Sequence, residues 1–112
     1  MIEFNAIPVT MGCNHAFHFK IKKLEELYTS EKGSHKYEPE VIDSFFDAMA
    51  VIAAARDERD LYAQKGFHFE KLSGKRKHEH SLRLNRQFRL IVALEKDKSG
   101  KNVLVITIED YH

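Results

Sequence analysis

The sequence is poor in the features that mark several protein classes. It has one cysteine, Cys13, so an internal disulfide is excluded and we expect a reducing, cytoplasmic location. No apolar run approaches the length of a membrane span, and no basic flank leads into an apolar segment near Met1. We therefore expect neither contact with a membrane nor a signal peptide. A glycine-rich nucleotide loop and a nucleophile elbow are also missing from the sequence.

The proportions of hydrophobic and charged residues are instead those of an ordinary folded domain. Its 112 residues are 43% hydrophobic and 31% charged, which predicts a single domain over residues 1–112 with a modest core. The net charge is +1, but eight positive and two negative residues between Lys65 and Arg89 make that segment +6 and the rest −5. Such a basic patch is typical of a surface that contacts phosphates, although a charge run is more often simply solvated.

Two helices are predicted from apolar residues at helical spacing. The first begins near Ile21, and the second begins near Pro39, because proline is favoured in the first turn of a helix. The apolar stripe of the second helix comprises Ile42, Phe45, Phe46, Met49, Ile52 and Ala53. We expect an antiparallel pair joined by a short loop, and we expect the charged stretch 57–61 to be an irregular connection.

The remaining segments alternate apolar and polar residues, which predicts strands. These runs begin at Phe17, Phe67, Leu82, Phe88 and Asn102. The last run is apolar on both faces, so we place it inside the sheet. The predicted fold is α+β, with two N-terminal helices packed on a curved antiparallel sheet of about four to five strands, which the strand at Phe17 can join.

The alternation also separates the two faces of this sheet. The parity of a core face is shared by Leu82, Leu84, Phe88, Leu90 and Val92. Arg83 and Arg89 then lie on the opposite face, on neighbouring strands joined by a short turn at 85–86. Two guanidinium groups placed in this way can bind one phosphate, but they can equally be solvent-facing arginines without a ligand.

Two clusters that contain histidine have side chains that could bind a metal. Cys13, His15 and His18 have a C-x-H-x-x-H spacing, but three ligands without a second pair do not predict a metal site. His78 and His80 would share one face of a strand, where we expect them to join the basic rim. We therefore predict no metal.

The closing tripeptide of the sequence is Asp110-Tyr111-His112. It offers a carboxylate, a phenol and an imidazole, and histidine exchanges a proton readily near neutral pH. From spacing alone, a frayed polar tail is the favoured interpretation, because chain termini usually have that form.

Three motifs occur in a familiar order. They are Leu72-Ser73-Gly74-x-Arg76, then His80-Ser81-Leu82-Arg83-Leu84-Asn85-x-Gln87-Phe88-Arg89-Leu90, and finally Glu109-Asp110-Tyr111-His112. Over roughly residues 15–112 the chain resembles the RelE/ParE superfamily of bacterial type II toxins, and it looks most similar to the HigB branch. Residues 1–14 precede the region that this family usually occupies and are expected to be an N-terminal extension.

The resemblance implies a RelE-like fold, similar to that of small microbial ribonucleases, and a ribosome-dependent mRNA endonuclease. Such a toxin cleaves mRNA in the ribosomal A site by attack of a 2′-hydroxyl on the adjacent phosphate, with no metal or cofactor, and so inhibits translation. The partners implied are a helix-turn-helix antitoxin of the HigA kind, the ribosome and mRNA. The alternative is a ParE-like toxin that inhibits gyrase by binding and catalyses nothing.

The resemblance also implies roles by position. Arg83 and Arg89 would act at the phosphate, Tyr111 and His112 would transfer protons, and Asp110 would orient them. The RNA-binding residues that it implies are Lys71, Lys75, Arg76, Lys77 and Arg86.

One position departs from the family pattern. HigB relatives often place a catalytic histidine just ahead of the Leu-x-Gly turn, where this sequence has Glu70. His68 lies nearby but out of register, so a part for His68, as for His78 and His80, stays open.

Overall fold

Three helices and five strands carry the fold in a computed structural model that describes residues 16–97 and 100–110. The helices are α1 (Lys22–Ser30), α2 (Pro39–Ala54) and α3 (Glu58–Tyr62). The strands are β1 (Ala16–Phe19), β2 (Glu70–Lys71), β3 (Glu79–Arg83), β4 (Phe88–Asp97) and β5 (Gly100–Asp110). Short 3-10 turns occupy Ser34–Lys36, Lys65–Phe67 and Gly74–Arg76.

The two predicted helices are confirmed, and α2 is the main cover of the core. Pro39 stands in its first turn, where a missing backbone N–H costs nothing because that group would have no partner within the helix. The buried residues of this helix are Val41, Phe45, Ala48, Met49 and Ile52. The ring of Phe45 packs edge-on against Tyr28 of α1, with centroids 6.4 Å apart, so both helices share one apolar layer.

The prediction of an irregular connection over 57–61 is wrong, because this stretch contains α3. The Asp57 carboxylate accepts a hydrogen bond from the backbone N–H of Arg59 at 2.9 Å and caps the helix. Leu61 is fully buried and fastens this short helix to the core. The helix has five residues and only Leu61 is buried, so the sequence contains no repeated apolar spacing that would predict a helix here.

The sheet has the order β1-β5-β4-β3-β2. Its inner pairs are antiparallel, but β1 lies parallel to β5, from Ala16 opposite Asn102 to Phe19 opposite Val105. The α+β fold, the strand before the helices and the interior position of β5 are therefore confirmed, whereas the sheet is mixed and not wholly antiparallel. The parallel pair requires a long crossover, which contains the helices.

The strand predicted to begin at Phe67 is mostly a turn. Lys65–Phe67 forms a 3-10 turn, His68 adopts a left-handed conformation with φ of 46°, and only Glu70 and Lys71 pair with β3. Phe67 and Phe69 nevertheless both pack against the core. The 3-10 turn and the left-handed His68 place both rings against the core. Two apolar residues separated by one polar residue therefore resemble the alternation of a strand.

The predicted division of the sheet into two faces is also confirmed. The helix-side face contributes Leu82, Leu84, Leu90, Val92, Val103 and Val105 to the core, with Phe88 half-buried at its edge. Ser81 and Ile91 have the opposite parity and do not belong to that core, yet both are almost completely buried. Some part of the chain must therefore cover the second face as well.

A β-bulge in β5 decides which side chains reach that second face. Ile91 pairs with Thr107 and Val92 pairs with Val105, so Ile106 is an extra residue in β5. Val105 faces the core before the bulge, and Ile108 packs against the core after it. The parity of β5 is thereby reversed, and Thr107 and Glu109 lie on the face turned away from the helices.

Candidate functional site

Two arginines stand directly opposite each other on the sheet face turned away from the helices. Arg83 of β3 pairs with Arg89 of β4, and both side chains are half-buried. Like charges directly opposite each other destabilise a sheet, so this pair gains from an anion that lies between them. We call this surface the arginine face; it comprises Arg83, Arg89, Glu109 and the side chain of Arg76 described below.

The turn between β3 and β4 fixes the register of this pair. The Asn85 Oδ1 accepts hydrogen bonds from the backbone N–H groups of Gln87, at 2.8 Å, and Phe88, at 2.7 Å. The Asn85 Nδ2 donates to Glu40 Oε2 at 3.0 Å, which ties the turn to the start of α2. A one-residue slip of either strand would move the arginine of that strand to the other face, so Asn85 supports the site without belonging to it.

A third arginine reaches the same face from the loop over residues 72–78. The Arg76 Nε donates to Glu79 Oε1 at 2.8 Å, while its Nη1 and Nη2 donate to Glu109 Oε1 and Oε2 at 3.0 and 3.1 Å. These hydrogen bonds, first those to Glu109 and then that to Glu79, raise the pKa of Arg76. One side chain thus joins β3 to β5 across β4.

Arg76 lies over the buried part of this face. Ser81, Ile91 and Thr107 form one row across three strands. Glu79 lies on one side of this row and Glu109 on the other, so the guanidinium that bridges them lies over the row. The guanidinium of Arg76 therefore contributes to the cover over this row.

Comparison with known proteins decides the family. The family model of HigB-like toxins, described as RelE-like toxins of the type II toxin-antitoxin system HigB, matches residues 17–112. The chain belongs to this family. It is therefore a toxin of a toxin-antitoxin system, and an antitoxin is its partner.

A sequence relative of this HigB-like toxin supports the same conclusion, and two solved structures have a similar fold. Toxin HigB-1 of Vibrio cholerae serotype O1 is 36% identical over 76 residues, which are 68% of this chain and 80% of that toxin. The YoeB/ParE toxin from Agrobacterium tumefaciens has a TM-score of 0.54 at 11% identity and covers 87% of this chain and 99% of its own. The YoeB-YefM complex from Staphylococcus aureus has a TM-score of 0.56 at 16% identity and covers 88% and 98%. At these identities the two structures establish the RelE-like fold alone.

The basic residues predicted for this HigB-like toxin fall into separate groups. Lys75 and Lys77 are exposed beside Arg76, and Arg86 is exposed at the turn between β3 and β4. Lys71 pairs with His80 in the register, so it lies on the helix side at the edge of the sheet. The structure therefore does not bring Lys71 together with the arginine face, where Glu70 occupies the corresponding edge position.

The closing motif of the family is divided between the two faces. Asp110 pairs with Phe88 and so lies on the helix side, where its Oδ2 accepts a hydrogen bond from Gln87 Nε2 at 3.1 Å. Glu109 pairs with Arg89 and is the residue of this motif that reaches the arginine face. Tyr111 and His112 lie outside the described residues. Sequence reasoning placed the motif beside the arginines. It missed Glu109 because the bulge in β5 is hidden in a run of apolar residues, and it missed Glu79 because the hydrogen bond to Arg76 depends on the path of the loop over residues 72–78.

The histidine predictions need one correction. His80 does not join the basic rim, because its ring is buried and stacks on Phe69 with centroids 4.8 Å apart. Burial lowers the pKa of His80, so the ring is neutral near pH 7. His78 is exposed, while Cys13 and His15 lie outside the described residues.

Two further features bear on the class of protein. Within residues 16–97 and 100–110, no group of three or more histidine, cysteine or acidic side chains is placed to hold a metal ion. Among the helices that the structure describes, none is long and apolar enough to cross a membrane.

Proposed function

We propose that this HigB-like toxin is an endoribonuclease that cleaves mRNA in the ribosomal A site and thereby stops translation. The observation that carries the proposal is the direct opposition of Arg83 and Arg89 on the arginine face. Two planar guanidinium groups on directly paired residues suit the oxygens of one phosphodiester. Their fixed charge would stabilise the additional negative charge that develops when the phosphate is attacked.

The reaction proposed is an internal transfer that needs no added nucleophile. The 2′-hydroxyl oxygen attacks the adjacent phosphorus, and its proton passes to a base. The bond to the 5′-oxygen of the next nucleotide breaks, and that oxygen leaves with a proton from an acid. The products are a 2′,3′-cyclic phosphate and a 5′-hydroxyl, so RNA is required as the substrate because DNA lacks the attacking group.

The roles proposed follow the family resemblance and the charge of the site. Arg83 and Arg89 would bind the scissile phosphate, with the arginines supplying the positive charge and no metal taking part. Tyr111 and His112 would exchange the two protons, and Asp110 would orient them.

RNA outside the scissile bond would meet exposed basic side chains. Lys75, Lys77 and Arg86 are exposed around the arginine face and suit the phosphates of bound mRNA or of the ribosome. Lys71 would contact only RNA that passes around the edge of the sheet. Arg76 was also predicted to bind RNA, and its bonds to two carboxylates suggest the different role argued below.

The partner proposed is a small helix-turn-helix antitoxin of the HigA kind. The family description supports an antitoxin as the partner. The resemblance to the HigB branch is the reason for proposing a helix-turn-helix antitoxin. Copurification of the toxin with the product of the neighbouring reading frame would test this assignment, and a partner without a helix-turn-helix domain would contradict it.

The decisive test is primer extension on mRNA held in translating ribosomes. Wild-type toxin should produce breaks in the A-site codon. Arg89→Ala should reduce the rate about a hundredfold to a thousandfold, as expected when a preorganised charge that stabilises the transition state is removed. Arg59→Ala is the matched control, because Arg59 is an exposed arginine whose carboxylate partner, Asp57, lies in the cap of α3.

Two results would overturn the proposal. Intact mRNA in the A site at saturating toxin would exclude the nuclease activity. Loss of DNA supercoiling with continuing translation would establish the ParE-like alternative, in which the toxin binds gyrase.

A further inference from the structure

We infer that Arg76 is a positioning residue and not a ligand of RNA. Its side chain fastens the 72–78 loop to the end of β5, and we call the set of Arg76, Glu79 and Glu109 the clasp. The inference rests on the proposed function, because the residues that the clasp would position are those assigned to proton transfer.

The geometry of the clasp is that of a strong connection. Arg76 and Glu109 are separated by 33 positions in sequence and share two parallel hydrogen bonds. A planar guanidinium matches a carboxylate in this two-pronged arrangement, which fixes orientation as well as distance. The third bond, to Glu79, orients the same plane from β3.

The charge of the clasp argues against a phosphate ligand. One guanidinium and two carboxylates sum to −1, so the cluster as a whole does not attract an anion. Three of the five N–H donors of Arg76 are already directed at carboxylates. An RNA phosphate would therefore have to compete with both acids, whereas Lys75 and Lys77 on either side are exposed.

The clasp holds the residue that immediately precedes the proton-transfer group. Glu109 lies on the arginine face opposite Arg89, and Asp110, Tyr111 and His112 follow it in the chain. A fixed Glu109 holds the end of β5 beside Arg89, and the chain continues from there to the residues proposed for proton transfer. Catalytic geometry is sensitive at this scale, since a misplacement of about 1 Å can cost a hundredfold in rate.

Lysine at position 76 separates positioning from RNA binding. Arg76→Lys keeps the positive charge but cannot make the two-pronged bond and reach Glu79 at once. If Arg76 positions, kcat for RNA cleavage should fall about tenfold to a hundredfold, with KM and the salt dependence of RNA binding unchanged. If Arg76 only binds phosphate, Arg76→Lys should keep most of the activity, which would overturn the inference.

Two comparison variants sharpen this experiment. Glu109→Gln should reproduce the fall in kcat, and the double variant should be no worse than the more severe single one, because both remove the same connection. Lys75→Ala, from the same loop, should instead raise KM and weaken the salt dependence. Additive effects of Arg76→Lys and Glu109→Gln would contradict the clasp.

Amide hydrogen exchange tests the clasp without relying on cleavage. Arg76→Lys should speed exchange at residues 107–110 and 74–78, and it should leave α2 as protected as in the wild type, which also shows that the variant is folded. Unchanged exchange in both segments would overturn the clasp even in an active nuclease. Faster exchange in a protein that cleaves no RNA would overturn the proposed function and the catalytic role of the clasp together.

Discussion

Replacement of Asn85 by alanine should destabilise the protein by a predictable amount. The change removes two hydrogen bonds from backbone N–H groups to Asn85 Oδ1, each worth about 1 kcal/mol net. It also removes the exposed bond from Asn85 Nδ2 to Glu40, for which we allow at most about 1 kcal/mol. The expected loss is therefore about 2–3 kcal/mol in the free energy of unfolding.

Aspartate at the same position provides the matched control. Asn85→Asp keeps the oxygen that accepts both backbone bonds, but it loses the donor and places a second carboxylate beside Glu40. We expect it to cost about 1 kcal/mol, roughly a third to a half of the alanine effect. The difference between the two variants isolates the contribution of the turn from that of the contact with α2.

The assay is urea denaturation followed by circular dichroism, with thermal melting as a second measurement. For a chain of this size 1 kcal/mol corresponds to about 4 °C, so Asn85→Ala should melt roughly 8–12 °C lower. RNA cleavage should fall as well in the folded fraction, because the turn sets the register of Arg83 and Arg89. Equal losses for alanine and aspartate, or a loss below 1 kcal/mol for alanine, would refute the view that Asn85 fixes the register.

Three further predictions address the core, pH and salt. Phe45→Ala should lower the free energy of unfolding by about 3–5 kcal/mol, because the ring is fully buried; chemical denaturation measures this, and a loss below 2 kcal/mol would contradict it. Burial lowers the pKa of His80; the charge of Lys71 lowers it further, and the charge of Glu58 raises it. As the pH falls below 6.5, His80 is therefore protonated in the unfolded chain before it is protonated in the folded protein, and the free energy of unfolding should decrease. His80→Phe should show a flatter pH dependence of unfolding, and an unchanged dependence would show that His80 is not responsible. Lys77→Ala should reduce the slope of log affinity against log salt for a single-stranded RNA by about 0.7, and an unchanged slope would place Lys77 outside the RNA path.

The sequence was sufficient for the features that repeat along the chain. The apolar stripe of α2, the alternation from Leu82 to Val92 and the apolar run of β5 each extend over many residues, so local exceptions do not hide the period. The opposition of Arg83 and Arg89 followed from parity and a short turn, both of which are local properties. The family motifs added what parity could not provide, namely a reason to single out the tripeptide after Glu109.

The features that sequence reasoning missed depend on contacts between distant residues or on a single inserted residue. The bulge at Ile106 is invisible because Val105, Ile106 and Ile108 are all apolar, and it reverses which face Glu109 and Asp110 occupy. The bond between Arg76 and Glu109 spans 33 positions, so no window along the chain contains both partners. The burial of His80 includes its stacking on Phe69, whereas its neighbours in sequence, Glu79 and Ser81, are both polar.

The parallel pairing of β1 has a consequence for the order of assembly. Ala16 pairs with Asn102, which lies 86 positions further along the chain. At about 5–20 residues per second, synthesis would separate the two strands by roughly 4–17 seconds, during which β1 has no strand to pair with. Because β5 also carries Glu109, a nascent chain that ends before β5 has neither the strand between β1 and β4 nor a complete arginine face. The fold thus delays assembly of the arginine face until β5 has been synthesised.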